Sequence, residues 1–147
     1  MTVNYTTYNL QWGSDKVNMK GCQYVMALSH GDPSHPYMYA QVLAIYQIKV
    51  LHPAMTTPTN MDAPWVCWLQ IDQTHQVGWK AKRLYWVQFV PSLEDGAFGF
   101  LDPNNIIRDI HLIPCFDKGL IVGLLLALVS KWDYAPKANW KHYYVNQ

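Results

Sequence analysis

The clearest pattern in the chain runs from Tyr37 to Val50. Met38, Ala40, Val42, Ala44, Tyr46, Ile48 and Val50 alternate without a polar exception, and Gln41, Gln47 and Lys49 fall among apolar residues on the other side. A period of two with one wholly apolar face predicts a half-buried antiparallel strand. Shorter runs of the same kind follow. Cys22 to Leu28 predicts a short strand after Gly21, and Trp65 to Ile71, apolar on both faces, predicts a central one. Leu84 to Val90 is closed by Pro91, Ile106 to Ile113 is stopped by Pro114, and Trp140 to Asn146 makes a last aromatic strand.

Between these runs lie residues whose backbone preferences oppose strands. His30 to Pro36, Asp72 to Gly78, Ser92 to Gly96 and Asp102 to Asn105 read as turns, with Asp102 positioned to accept local backbone N–H groups. His52 to Pro64, with three prolines and several Thr and Asn, reads as a surface loop. Near the start, Tyr5, Tyr8, Leu10 and Trp12 form an apolar lead-in broken at Gly13-Ser14-Asp15. Leu120 to Val129 is the single strongly apolar run. It is half the roughly 20 residues a membrane span needs, so a short buried helix is expected there, with self-association through an exposed patch as the sharper alternative.

About six strands with one short helix predict a mainly β fold, a small antiparallel barrel or rolled sheet. At 147 residues a single domain is expected, with residues 1–20 as a peripheral lead-in and 21–147 as the barrel core, its helix near 118–131. Half of the residues are apolar and 14% are charged, enough to fill a core and too little charge for disorder.

Charge narrows the partners. Eleven Lys and Arg against ten acidic residues give a net charge of +1, without the basic excess from which a free-standing nucleic-acid binder draws its affinity. Lys80, Lys82 and Arg83 are a local basic edge through which weak nucleic-acid contact is conceivable. Met1 to Trp12 has no apolar core of signal-peptide type, and the three cysteines are odd in number and far apart; an intracellular location follows as an expectation.

Candidate reactive groups are sparse. No two of Cys22, Cys67 and Cys115 have zinc half-site spacing, and His30 and His35 flank a proline turn, so neither metal nor cofactor is expected. Cys115 with His111 and Asp109 is the one conceivable nucleophile and base, but Pro114 interrupts the strand between them and no glycine-rich oxyanion turn precedes the thiol. The ten acidic residues are dispersed. Aromatic side chains offer the better surface. Tyr37, Tyr39, Trp68, Trp79 and Tyr85 are candidates for a cage around a methylated lysine or a groove for a proline-rich peptide, while Trp65 and Trp86 are expected to fill the core.

Three segments carry a resemblance. HPYMYAQVLAIY (His35 to Tyr46), FGFLDPNNIIRDIHLIPCF (Phe98 to Phe116) and HYYVN (His142 to Asn146), with WVCWLQID and KAKRL between them in order, resemble the C-terminal region of fungal Plavaka-type transposon proteins of the Kyakuja–Dileera–Zisupton superfamily. The likeness spans Gly31 to Asn146 and does not include the acidic metal-binding motifs of the transposase core. It implies an accessory, non-catalytic region of a transposon-derived protein with a protein or chromatin partner and a nuclear location. The order of strands is also similar to that of bromo-adjacent homology domains, which are chromatin modules on an SH3-like barrel; that similarity concerns architecture alone. The expected function is therefore a non-catalytic interaction module, without membrane association. The alternatives are a small cysteine-dependent enzyme using Cys115 and His111, or a protein self-associating through Leu120 to Val129.

Overall fold

The computed structural model describes residues 1–6, 12–17, 23–29, 31, 35–51, 57–74, 84–121 and 140–146. Ten strands run in chain order: β1 (Thr2–Thr6), β2 (Trp12–Lys16), β3 (Tyr24–Leu28), β4 (Tyr37–Val50), β5 (Thr59–Ile71), β6 (Trp86–Phe89), β7 (Phe98–Phe100), β8 (Ile106–Asp109), β9 (His111–Pro114) and β10 (Tyr143–Asn146). β1 and β2 pair antiparallel in a two-stranded sheet, and the others form one eight-stranded antiparallel sheet in the order β8-β3-β4-β5-β6-β10-β9, with β7 added beside β5.

β4 and β5 are the axis of the molecule. They pair from Tyr39↔Leu69 to Val50↔Thr59, far beyond the five residues of β3 on one side and the four of β6 on the other. Their central part is apolar on both faces because each face has its own core. Val25, Ala27, Ala40, Val42 and Val66 pack with Leu101 and Ile106 on one side, and Val3 and Val17 close that cluster from the β1–β2 ribbon. On the other side Tyr39, Cys67 and Leu69 meet Val87, Phe89, Ile110, Tyr143 and Val145. Val25, Val66 and Val87 have no exposed surface, and burial of such side chains contributes on the order of 1.5–3 kcal/mol each.

A bulge reshapes β4. The register passes from Val42↔Val66 to Ala44↔Trp65, so two residues of β4 face one of β5. That extra residue reverses the alternation. Val42 and Ile45 both face the first core, while Leu43 faces the second. The apolar series read from Met38 to Val50 therefore does not stay on one face. Ala44, Tyr46, Ile48 and Val50 are carried to the side opposite Ala40 and Val42.

Several expectations are corrected. The sheet is not closed into a barrel: the strands at its two ends, β8 and β9, are not hydrogen-bonded to each other. They are instead consecutive in the chain, joined by the single residue Ile110, which is buried and whose N–H donates to the Tyr24 carbonyl at 3.0 Å. The run from Ile106 to Ile113 is thus two strands on opposite ends of the sheet. Residues 59–64, expected in a loop, continue β5. Pro64 is tolerated because its nitrogen faces away from β4, on the side where its carbonyl accepts from Leu101 at 3.0 Å. The lead-in forms β1 and β2, with Gly13-Ser14-Asp15 inside a strand.

The turn before β8 behaves as read. Asp102 caps a 3₁₀ turn, Pro103–Asn105, accepting the Asn104 N–H at 2.9 Å. Phe116–Lys118 is a second 3₁₀ turn, and Leu120 bridges to Trp140. The helix expected near 118–131, and with it most of Leu120 to Val129, lies outside the described residues. No helix among the described residues is long and apolar enough to cross a membrane.

Candidate functional site

Three of the five candidate aromatics converge. Tyr37 and Tyr39, two apart on β4, share a face, and Tyr85 arrives from the segment before β6. All three surround the ring of His35, whose centroid is 4.8 Å from Tyr85, 5.8 Å from Tyr39 and 5.9 Å from Tyr37. His35 is held there because the adjoining Pro36 carbonyl accepts the Ser29 N–H at 2.8 Å, tying the incoming segment to the end of β3. Tyr39 is fully buried and Tyr37 and Tyr85 are half-buried. An aromatic cage for a cation needs open space between its rings. Here the imidazole of the chain itself stands in that space.

Trp68 does not join them. It lies opposite Ala40, on the other face of the sheet from Tyr39, and packs against the first core and over Gly99. Trp79 and the basic edge Lys80, Lys82 and Arg83 lie outside the described residues. Trp86 is buried, as expected of a core filler, whereas Trp65 is half-buried at the start of a surface stripe described below.

Cys115 is placed differently from the pairing with His111. His111 stands opposite Asn146 at the far end of β9 and is exposed. The buried Cys115 thiol instead donates to Asp117 Oδ1 at 2.9 Å and lies 3.8 Å from the Tyr144 hydroxyl. Burial pushes this thiol up, and donation to Asp117 adds to the effect, so the protonated form is favoured. An activated cysteine needs the opposite. The histidine beside Cys115 is His142, whose carbonyl accepts the Cys115 N–H at 2.9 Å. Its ring stacks on Trp86 with centroids 4.9 Å apart, and its Nε2 lies 3.4 Å from Asp72 Oδ2. Sequence reasoning missed this group because His142, Asp72 and Trp86 come from three distant segments with no shared motif. Among the described residues no group of three His, Cys, Asp or Glu could hold a metal ion.

The remaining surface of note is the projecting half of the β4–β5 hairpin. Beyond the bulge, Tyr46, Ile48 and Val50 on β4 stand beside Ala63 and Met61 on β5, and Trp65 and Phe100 extend the row through β7. Phe100 is 63% exposed, Tyr46 44%, Ile48 42% and Met61 40%. The rings interlock at the base: Phe100 lies 4.8 Å edge-on from Trp65 and 6.2 Å from Tyr46. The opposite face of the same hairpin carries Gln47, Lys49, Asn60 and Asp62. One signal could have exposed this site in the sequence. A strand of fourteen residues is more than twice the usual length, so part of it must overhang its shorter neighbours.

Comparisons with protein-family models, with curated proteins and with solved structures find no match to this chain.

Proposed function

We propose that the chain is a non-catalytic interaction module that docks a protein partner on the apolar face of the projecting β4–β5 hairpin. One observation carries this reading. Phe100, Tyr46, Ile48 and Met61 form a contiguous exposed row on one face, backed by a polar row on the other. Scattered exposed apolar side chains need no explanation, but a contiguous row rimmed by polar residues is characteristic of protein interfaces. Tyr and Phe at the centre of such a row are the residue types that anchor binding energy.

The proposal extends to context. The likeness of three segments to the C-terminal region of Plavaka-type transposon proteins makes a nuclear protein complex, or chromatin, the natural place to seek the partner. An SH3-like arrangement of the kind found in bromo-adjacent homology domains fits with a rolled sheet whose two end strands are joined by one residue. Protein is preferred over nucleic acid because the net charge is only +1.

The test is capture from a nuclear extract by immobilised wild-type chain, Met61→Glu and Phe100→Glu, followed by identification of bound protein and nucleic acid. A protein retained by the wild type and lost with both variants, their far-ultraviolet circular dichroism unchanged, is the expected result. Equal retention by all three chains refutes the assignment of this face.

A further inference from the structure

Beyond Val42 the outer side of β4 has no paired strand among the described residues. β3 pairs with β4 from Tyr37 to Gln41, and among the described residues the last contact on that side is Val42 N–H donating to the Gln23 carbonyl at 2.7 Å. Among the described residues no strand lies beside Ala44 to Val50 on that side. These seven residues of extended chain span about 24 Å, with no backbone partner on that side among the described residues. Natural sheets protect such edges with bulges, prolines or several charges. Here the bulge sits at the base of the edge, and Lys49 is the one charge along it.

We infer that this edge pairs antiparallel with the same edge of a second copy of the chain, joining two hairpins into one continuous four-stranded sheet about a two-fold axis. The inference rests on the reading of the projecting hairpin as the docking element and names its occupant. The sequence of the edge is self-complementary in one register. With the axis at Ile48, Ile48 faces its own counterpart and Tyr46 faces the partner's Val50, so Tyr46, Ile48 and Val50 each meet an apolar side chain. On the polar face Lys49 meets the partner's Gln47, beside which stands the partner's Asp62, since Gln47 and Asp62 are register neighbours within each hairpin. Lys49 and the partner's Asp62 are then two strands apart, about 10 Å between backbones, about one Debye length at roughly 0.1 M ionic strength.

The neighbouring registers are worse. A slip that brings odd positions against even ones sets the apolar face of one copy against the polar face of the other. An axis at Lys49 sets two ammonium groups directly opposite, which is destabilising. An axis at Gln47 sets Lys49 against the partner's Ile45. Charge therefore selects the Ile48 register, and two identical chains satisfy it without any other partner.

The seam is short, so the area buried falls at the lower end of specific interfaces and the dimer is a weak one, in the micromolar range. The test is sedimentation equilibrium of the full chain from about 1 to about 300 µM. The expected result is a reversible monomer–dimer equilibrium that Ile48→Asp weakens at least tenfold with unchanged circular dichroism. Lys49→Glu weakens it, and Lys49→Glu combined with Asp62→Lys restores it. Ile48→Cys forms an intermolecular disulfide on mild oxidation, because directly opposed strand residues lie within disulfide reach. Lys49→Cys, diagonal to its counterpart, does not. A wild-type chain that is monomeric throughout, or a dimer indifferent to Ile48→Asp, overturns the inference. If that monomer still captures an extract protein through Met61 and Phe100, the docking face stands and the second copy alone is rejected.

Discussion

Ile110 and Ile113 are the same residue type, three positions apart, in a run that reads as one strand. The fold gives them different fates. Ile110 is 4% exposed and sits in the core beneath Tyr39 and Val145, whereas Ile113 is 43% exposed. Replacing Ile110 by Ala removes three carbon atoms, roughly 2.4 kcal/mol of transfer free energy at about 0.8 kcal/mol per methylene. The residue is backbone-pinned on both sides by β8 and β9, so the surroundings cannot collapse far, and the cavity brings the expected loss to about 3–4 kcal/mol. For a chain of this size that lowers the melting temperature by about 10 °C. Ile113→Ala should cost under about 1 kcal/mol, since much of its surface is already in water. The assay is urea denaturation of both variants followed by tryptophan fluorescence, comparing midpoints at constant m-value. Equal losses, or a loss under about 1 kcal/mol for Ile110→Ala, would refute the view that one residue carries the chain between the two ends of the sheet.

Other outcomes follow from local chemistry. Burial pushes the Cys67 thiol up to about 11 from an ordinary 9.0, so its contribution to stability is complete below pH 9 and is lost as pH rises towards 11; Cys67→Ala should flatten that alkaline decline in a denaturation series. The Asp117 carboxylate accepts from Cys115, which holds Asp117 below the ordinary carboxylate value and helps to raise the thiol. Asp117→Asn should therefore speed alkylation of Cys115 at neutral pH, measured by mass spectrometry of the modified peptide. A Cβ at position 99 would stand 3.1 Å from Trp68 Nε1, so Gly99→Ala should cost about 1 kcal/mol in thermal denaturation.

Legibility in the sequence followed local pattern closely and lost track at the register. The alternation of β4 up to Val42, the both-faces-apolar character of Val66, Cys67 and Leu69, and the Asp102 turn are local properties, and they hold. The bulge after Val42 leaves no mark in composition, yet it sends Tyr46 and Ile48 from the expected core face to solvent. Residues 59–64 look like loop because Asn, Asp and Pro disfavour strands, but pairing with β4 outweighs those preferences. Tyr37, Tyr39 and Tyr85, grouped by their aromatic character, do meet, although the ring that organises them, His35, comes from a segment with the composition of a turn. Trp68 belongs elsewhere because face is set by register with β4, which single-strand patterns do not contain. The backbone contact of Cys115 with His142, far from His111, likewise depends on β9 lying against β10.

β10 is threaded between β6 and β9, with Tyr143 facing Val87 on one flank and Pro114 on the other. A nascent chain that has emerged only as far as Lys141 thus carries two sticky borders rather than one, with Trp86 and Val87 bared along the first. Four residues, Tyr143 to Asn146, seal both at once. Translation arrest or proteolytic nicking just upstream of them should convert a well-behaved chain into one that clumps.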